Sequence, residues 1–104
     1  MALTVIQVAG TDTFQLEGDL VVAEVAHAKP LLMAAMAAAG DRFRLDVGGV
    51  GECDTAGVQL LLMVRASASS QGSRFEIIHA PAPLLGVLER LGLPRSCFYE
   101  KRAP

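Results

Sequence analysis

Apolar and polar positions mark out seven segments along this chain. Leu3 to Val8 is apolar and β-branched and is followed by Gly10. Phe14 and Leu16 repeat that pattern after the break at Thr11-Asp12-Thr13. Together they predict two short strands joined by a tight turn. Gly18-Asp19 ends the second strand, and Asp19 is the candidate N-cap of a helix. From Val21 to Ala39 the apolar face recurs at three- and four-residue steps through Val21, Val22, Val25, Leu31, Leu32, Ala35 and Met36. Pro30 lies inside that run and is expected to kink or divide the helix, because it lacks an N–H and clashes one turn back. Gly40 stops it. Phe43 to Val47 alternates with period two, then meets Gly48-Gly49, which reads as a strand entering a loop.

Asp54 or Thr55 caps the next helix, expected from about Ala56 to Ser70. Its core stripe is Gly57, Leu60, Leu61, Val64 and Ala68. Gly72 ends it, and Phe75 to Ile78 is the fourth strand. Pro81 and Pro83 open a last helix where a missing N–H costs little. Leu84, Leu85, Val87, Leu88 and Leu91 drive its burial, and Gly92 closes it. Pro94 to Pro104 is a tail that either packs loosely or frays. The order is β-β-α-β-α-β-α in one α/β domain over residues 1–104. Such an order implies a mixed, mostly parallel four-stranded sheet with helices packed on it and right-handed crossovers.

Composition narrows the function classes. The 104 residues suit one compact domain, and 52% are hydrophobic. Aromatics are 5% with no Trp, which argues against a platform for stacking nucleobases. Formal net charge is −2 with no basic stripe, so nucleic acid is not an expected partner. The N-terminus lacks the positive region of a signal peptide. Leu31 to Gly40 is about half of what crosses a bilayer. The expectation is a cytoplasmic protein without direct membrane insertion. Cys53 and Cys97 form no CxxC, and free thiols are expected, although a disulfide between them stays open.

No constellation for catalysis stands out. His27 falls within a helix and His79 at a strand end, and neither sits in a nucleophile–base motif. Gly48-Gly49-Val50-Gly51 lacks both the Lys-Ser/Thr of a P-loop and the GxGxxG spacing. Asp46, Glu52 and Asp54 lie close in sequence but not at calcium-loop spacing, so an acidic loop and helix cap is expected rather than a metal site. No cofactor is implied.

The informative segment runs from Leu45-Asp46-Val47 through Asp54-Thr55-Ala56-Gly57-Val58-Gln59-Leu60-Leu61. It resembles the centre of the STAS family, where a strand of the form L-D-L-S-x-V leads into D-[ST]-[SAG]-G-[LVA]-x-x-L-L. Leu16-Glu17-Gly18-Asp19-Leu20 resembles the family's L-x-G-x-L. The spacing of Leu88, Gly92-Leu93 and Phe98 resembles its last helix and the segment after it. The resemblance spans nearly the whole chain.

It implies a non-enzymatic module that docks onto a protein. In anti-sigma factor antagonists of this family, a kinase phosphorylates a Ser or Thr just before the glycine. The matching position here is Ala56, which cannot accept phosphate. Thr55, one residue earlier, is either a helix cap or the remaining phosphoacceptor. The D-T-[AG]-G form also resembles STAS subunits of lipid-transport ABC complexes and chemotaxis-associated STAS proteins. The partners implied are an anti-sigma or histidine-kinase-type signalling protein, or an ABC ATPase. A small-ligand or nucleotide sensor built on Gly48 to Asp54 is the alternative of another class. The residues themselves suggest where docking occurs. Asp54 and Thr55, with Gln59, Leu62, Met63 and Ala66 at helical spacing, form a stripe beside the core stripe. That stripe is either an interface or an extension of the core.

Overall fold

The computed structural model describes residues 3–98. The strands are β1 (Thr4–Gln7), β2 (Thr13–Leu20), β3 (Arg42–Cys53) and β4 (Arg74–Ile78). The helices are α1 (Val22–Ala39), α2 (Thr55–Ser70) and α3 (Ala82–Arg90), followed by a 3-10 turn at Arg95–Phe98. The strands lie in the order β1-β2-β3-β4 in one sheet. β1 runs antiparallel to β2, and β2, β3 and β4 are parallel. The β-β-α-β-α-β-α order and the mixed sheet expected from the sequence are both present. Phe98 is buried, so the chain still packs at residue 98. The rest of the expected tail, 99–104, lies outside the described residues.

Period-two alternation decides which face of the sheet is covered. Phe14, Leu16 and Leu20 of β2, Phe43, Leu45 and Val47 of β3, and Phe75 and Ile77 of β4 are buried. Their neighbours Gln15, Glu17, Arg44, Asp46 and Glu76 are exposed or half-buried on the other face. The Phe43 ring meets Phe14 edge-on at 5.6 Å and Phe75 at 5.3 Å, tying the three parallel strands together. α1 covers this face with Ala28, Leu32, Ala35 and Met36. α2 covers it with Gly57, Val58, Leu60, Leu61, Val64 and Ala68, which includes every member of the expected core stripe. On the uncovered face, Glu76 takes hydrogen bonds from Arg44 and Arg42. Burial pushes its carboxyl up, but the two guanidiniums outweigh that and hold it below the ordinary carboxylate value.

Four expectations need correction. Asp19 does not cap α1, because β2 continues through Gly18 (φ 115°) to Leu20. Asp19 is therefore a strand residue, and its carboxylate accepts the Glu52 N–H at 3.0 Å. Pro30 does not divide α1, which is continuous over 18 residues. Pro30 is exposed, and the buried Ala28 and Leu32 on either side hold both halves on the core. By length and a mean hydropathy of 1.2 the helix would also suffice to span a bilayer, but here its apolar face is used on the sheet.

The third correction concerns Gly48 to Gly51, which is not a loop but the second half of β3. Glu17 pairs with Gly49 and Gly18 with Val50. A Cβ on Gly49 would stand 2.7 Å from Glu17 Cγ, and one on Gly51 2.7 Å from Asp19 Oδ1. These glycines let neighbouring side chains on β2 lie across the strand; they do not form a phosphate-gripping turn. Lastly, Leu91 is 41% exposed, so Leu84, Val87 and Leu88 bury α3 without it.

At Gly57, α2 comes close against the end of β2. A Cβ on Gly57 would lie 2.1 Å from the Leu20 carbonyl oxygen and 2.9 Å from Leu20 Cγ. Neither atom can move without unseating the strand or the core. Gly57→Ala is therefore expected to destabilise the domain by about 3 kcal/mol or more. Gly86 lies mid-helix in α3, and its added Cβ would meet only the end of Arg90 at 3.7 Å. Gly86→Ala should stabilise by about 0.5–1 kcal/mol through helix propensity. Urea unfolding of the two variants beside the parent protein checks both signs.

Candidate functional site

The parallel strands β2, β3 and β4 each lead into a helix, so α1, α2 and α3 begin at the same edge of the sheet. In open α/β sheets this carboxyl edge is where binding surfaces gather. Asp54 organises it. Its backbone is extended, with φ −127° and ψ −176°, and it is the N-cap of α2. Oδ1 accepts the Gly57 N–H at 3.0 Å. Oδ2 accepts the Val22 N–H at 2.9 Å, the first residue of α1. Its own N–H donates to the Leu20 carbonyl at 3.2 Å. One carboxylate thus satisfies orphan donors of two helices, and both helix dipoles favour its charge. α1 has no side-chain cap from its own N-cap residue, Val21, so this cross-chain bond replaces one.

That arrangement sorts the other site residues. The cap is Asp54, which leaves the Thr55 side chain exposed at the first helical position. Ala56 is half-buried beside it. Gln59 and Ala66 continue the outward line from Thr55. Leu62 and Met63 lie on the two flanks of that line, half-buried and packed against the core. The stripe expected from spacing is therefore an exposed polar ridge with one apolar shoulder on each side.

An open groove runs from the start of α2 to α3. Cys53, Asp54, Glu52 and Val21 line one side, and Pro83, Gly86 and Arg90 the other. Burial pushes the Cys53 thiol up to about 11, the Asp54 charge adds to this, and Arg90 opposes it. A thiol held protonated in this way is a poor nucleophile and metal ligand. Cys53 and Cys97 are both free and half-buried.

The remaining candidates are spread apart. His27 Nε2 lies 3.0 Å from the Leu3 carbonyl oxygen and ties α1 to the start of β1. His79 sits in the left-handed region (φ 58°) just after β4, with Nδ1 3.1 Å from Asp46 Oδ2. Asp46 Oδ1 accepts the Gly48 N–H at 2.9 Å. The carboxylates of Asp46 and Asp54 therefore serve different local structures. No group of three or more His, Cys, Asp or Glu side chains suited to a metal ion occurs among the described residues. The loop on which a nucleotide reading rested is strand.

Sequence reasoning placed the cap at Asp54 or Thr55; the structure selects Asp54 and adds a second partner, 32 residues away at Val22. The available signal was Gly57 at the third helical position, where glycine is unfavourable unless another backbone comes close. Asp54→Ala is expected to cost about 2 kcal/mol, near the top of the range for a lost cap, because two N–H groups lose their acceptor. Asp54→Asn keeps one acceptor oxygen and should lose roughly half as much. Chemical denaturation of both variants gives the comparison.

A family model described as "Mlab, STAS domain" matches residues 4–98. No curated protein matches the chain. The matched span takes in every strand and helix described above, including the Asp54-Thr55-Ala56-Gly57 helix start, and the chain belongs to the STAS domain family.

Proposed function

We propose that this chain is a non-catalytic docking module that regulates a bacterial signalling partner in the cytoplasm. The family supports an interaction or regulatory role in general. The observation that carries the finer reading is the start of α2. Thr55 and Gln59 are exposed on a helix turn fixed by Asp54, while the position before the glycine holds the half-buried Ala56. A surface that is already ordered loses little entropy on docking. Leu62 and Met63 on its flanks supply apolar contact beside a polar ridge. The partner proposed is an anti-sigma or histidine-kinase-type protein. Thr55 remains the residue for any phosphorylation switch. A phosphate there would stand beside the Asp54 carboxylate and compete with it for the α2 N–H groups.

A second reading, an accessory subunit that binds the ATPase of a lipid-transport ABC complex, is favoured by the D-T-A-G form. Affinity capture from native lysate followed by mass spectrometry separates the two. A histidine kinase or anti-sigma kinase supports the first, and an ABC ATPase the second. Gln59→Arg changes an exposed residue, so thermal stability should stay within about 0.5 kcal/mol of the parent. Capture of that partner should fall about tenfold or more. Undiminished capture by this variant would remove α2 from the interface.

A further inference from the structure

β1 forms one border of the sheet, with β2 on its inner side and, among the described residues, no strand on its outer side. Val8 donates its N–H to the Thr13 carbonyl at 2.9 Å, and the register continues through Ile6 with Gln15 and Thr4 with Glu17. Backbone groups along an antiparallel strand point alternately inward and outward. Thr4, Ile6 and Val8 therefore bond to β2, while Leu3, Val5 and Gln7 turn their N–H and C=O groups outward. The Leu3 carbonyl oxygen meets His27 Nε2 at 3.0 Å. The outward groups of Val5 and Gln7 have no partner among the described residues. An edge of this kind is a template for another strand, and natural sheets blunt it with charge, proline or a bulge. The far border is blunted: β4 carries Arg74 and Glu76, and the 3-10 turn is in contact with it. β1 reads Thr-Val-Ile-Gln, pairs with β2 without a register shift and carries no charge. At its centre Ile6 is 56% exposed.

We infer that β1 pairs with β1 of a second copy of this chain, antiparallel about a two-fold axis at Ile6. Around that axis Val5 of each copy lies opposite Gln7 of the other, and each such pair exchanges both of its N–H···O=C bonds. Every outward group of Val5 and Gln7 is then used. The register follows from His27. An axis at Val5 would set Leu3 opposite Gln7, and the Leu3 carbonyl is already taken. With the axis at Ile6, the two isoleucines face each other in a non-hydrogen-bonded pair, the closest kind of cross-strand contact. The shape of the edge favours a second copy over a foreign strand. Foreign strands are selected by pockets for alternate side chains. Here Val5 packs against the core on one face and Ile6 projects on the other, so the edge presents a knob that an identical knob covers. An uncharged β1 also meets no like charge on its copy. The contact is short, well below the roughly 20–30 residues a side of a stable interface, so the dimer is weak and concentration-dependent.

The test is sedimentation velocity of the full chain from about 10 μM to 1 mM, the range in which so small an interface associates. The expected result is a monomer that converts to a dimer and goes no further, since a two-fold contact closes on itself. Ile6→Lys should weaken the dimer about tenfold or more while leaving the unfolding midpoint unchanged, because the side chain is exposed. Gln7→Pro removes an outward N–H that β2 does not use and should weaken it as well. In a mixture of isotope-labelled and unlabelled chains, a filtered NOE should join the Thr4 Hα of one copy to the Val8 Hα of the other, as the Ile6-centred register requires. Three outcomes overturn the proposal: a monomer at every concentration, a dimer that both variants leave unchanged, or a dimer without the Thr4–Val8 NOE.

Discussion

The carboxylate of Asp54 is the point on which the arrangement of this domain depends. It holds the first N–H of α1 and the third of α2, while the Asp54 backbone reaches back to Leu20 at the end of β2. Gly57 then lets α2 approach that same carbonyl more closely than any side chain would permit. Two helices and the strand preceding one of them are thereby fixed at one edge of the sheet. The apolar faces of α1 and α2 follow from that placement and close over Phe14, Phe43 and Phe75.

The same constraint bears on the surface proposed for docking, the exposed start of α2. A helix end is ordinarily its least ordered part, because its donors lack internal acceptors. Here Asp54 takes the Gly57 N–H with its side chain and the Val58 N–H with its carbonyl, so Thr55 and Gln59 are presented on a capped helix start. The family has a phosphorylatable residue just before the glycine in its switch-controlled members, and this chain has Ala56. Docking without the usual switch is consistent with that substitution, and Thr55 is the one hydroxyl in the motif.

Most of the fold is legible in the sequence, since period-two and period-3.6 patterns record which side of each element meets the core. Every residue read into the α2 stripe is buried, and only Val58 of the buried residues of α2 is not among them. The second half of β3 could not be read this way. Glycines at 48, 49 and 51 resemble a loop in isolation, and only the position of Glu17 and Asp19 on the neighbouring strand shows why side chains are excluded there. Pro30 does not divide α1 for a similar reason, because tertiary burial of Ala28 and Leu32 outweighs a local break. At the site, spacing narrowed the cap to Asp54 or Thr55 and gave the outward line, but not the bond from Asp54 to Val22. A contact across 32 residues leaves no periodic trace. Nor did spacing separate Leu62 from Met63, which lie on opposite flanks.

The most direct measurement is native-state hydrogen exchange at the Val22 amide. The first N–H of a helix has no partner within it, and the corresponding Ala82 amide of α3 has no side-chain cap from its N-cap residue. The account predicts that Val22 exchanges slowly, as Gly57 does, and that both lose protection together in Asp54→Ala while the Leu61 amide keeps its own. Exchange of Val22 at the rate of Ala82 in the parent protein would contradict the claim that one carboxylate joins the two helices.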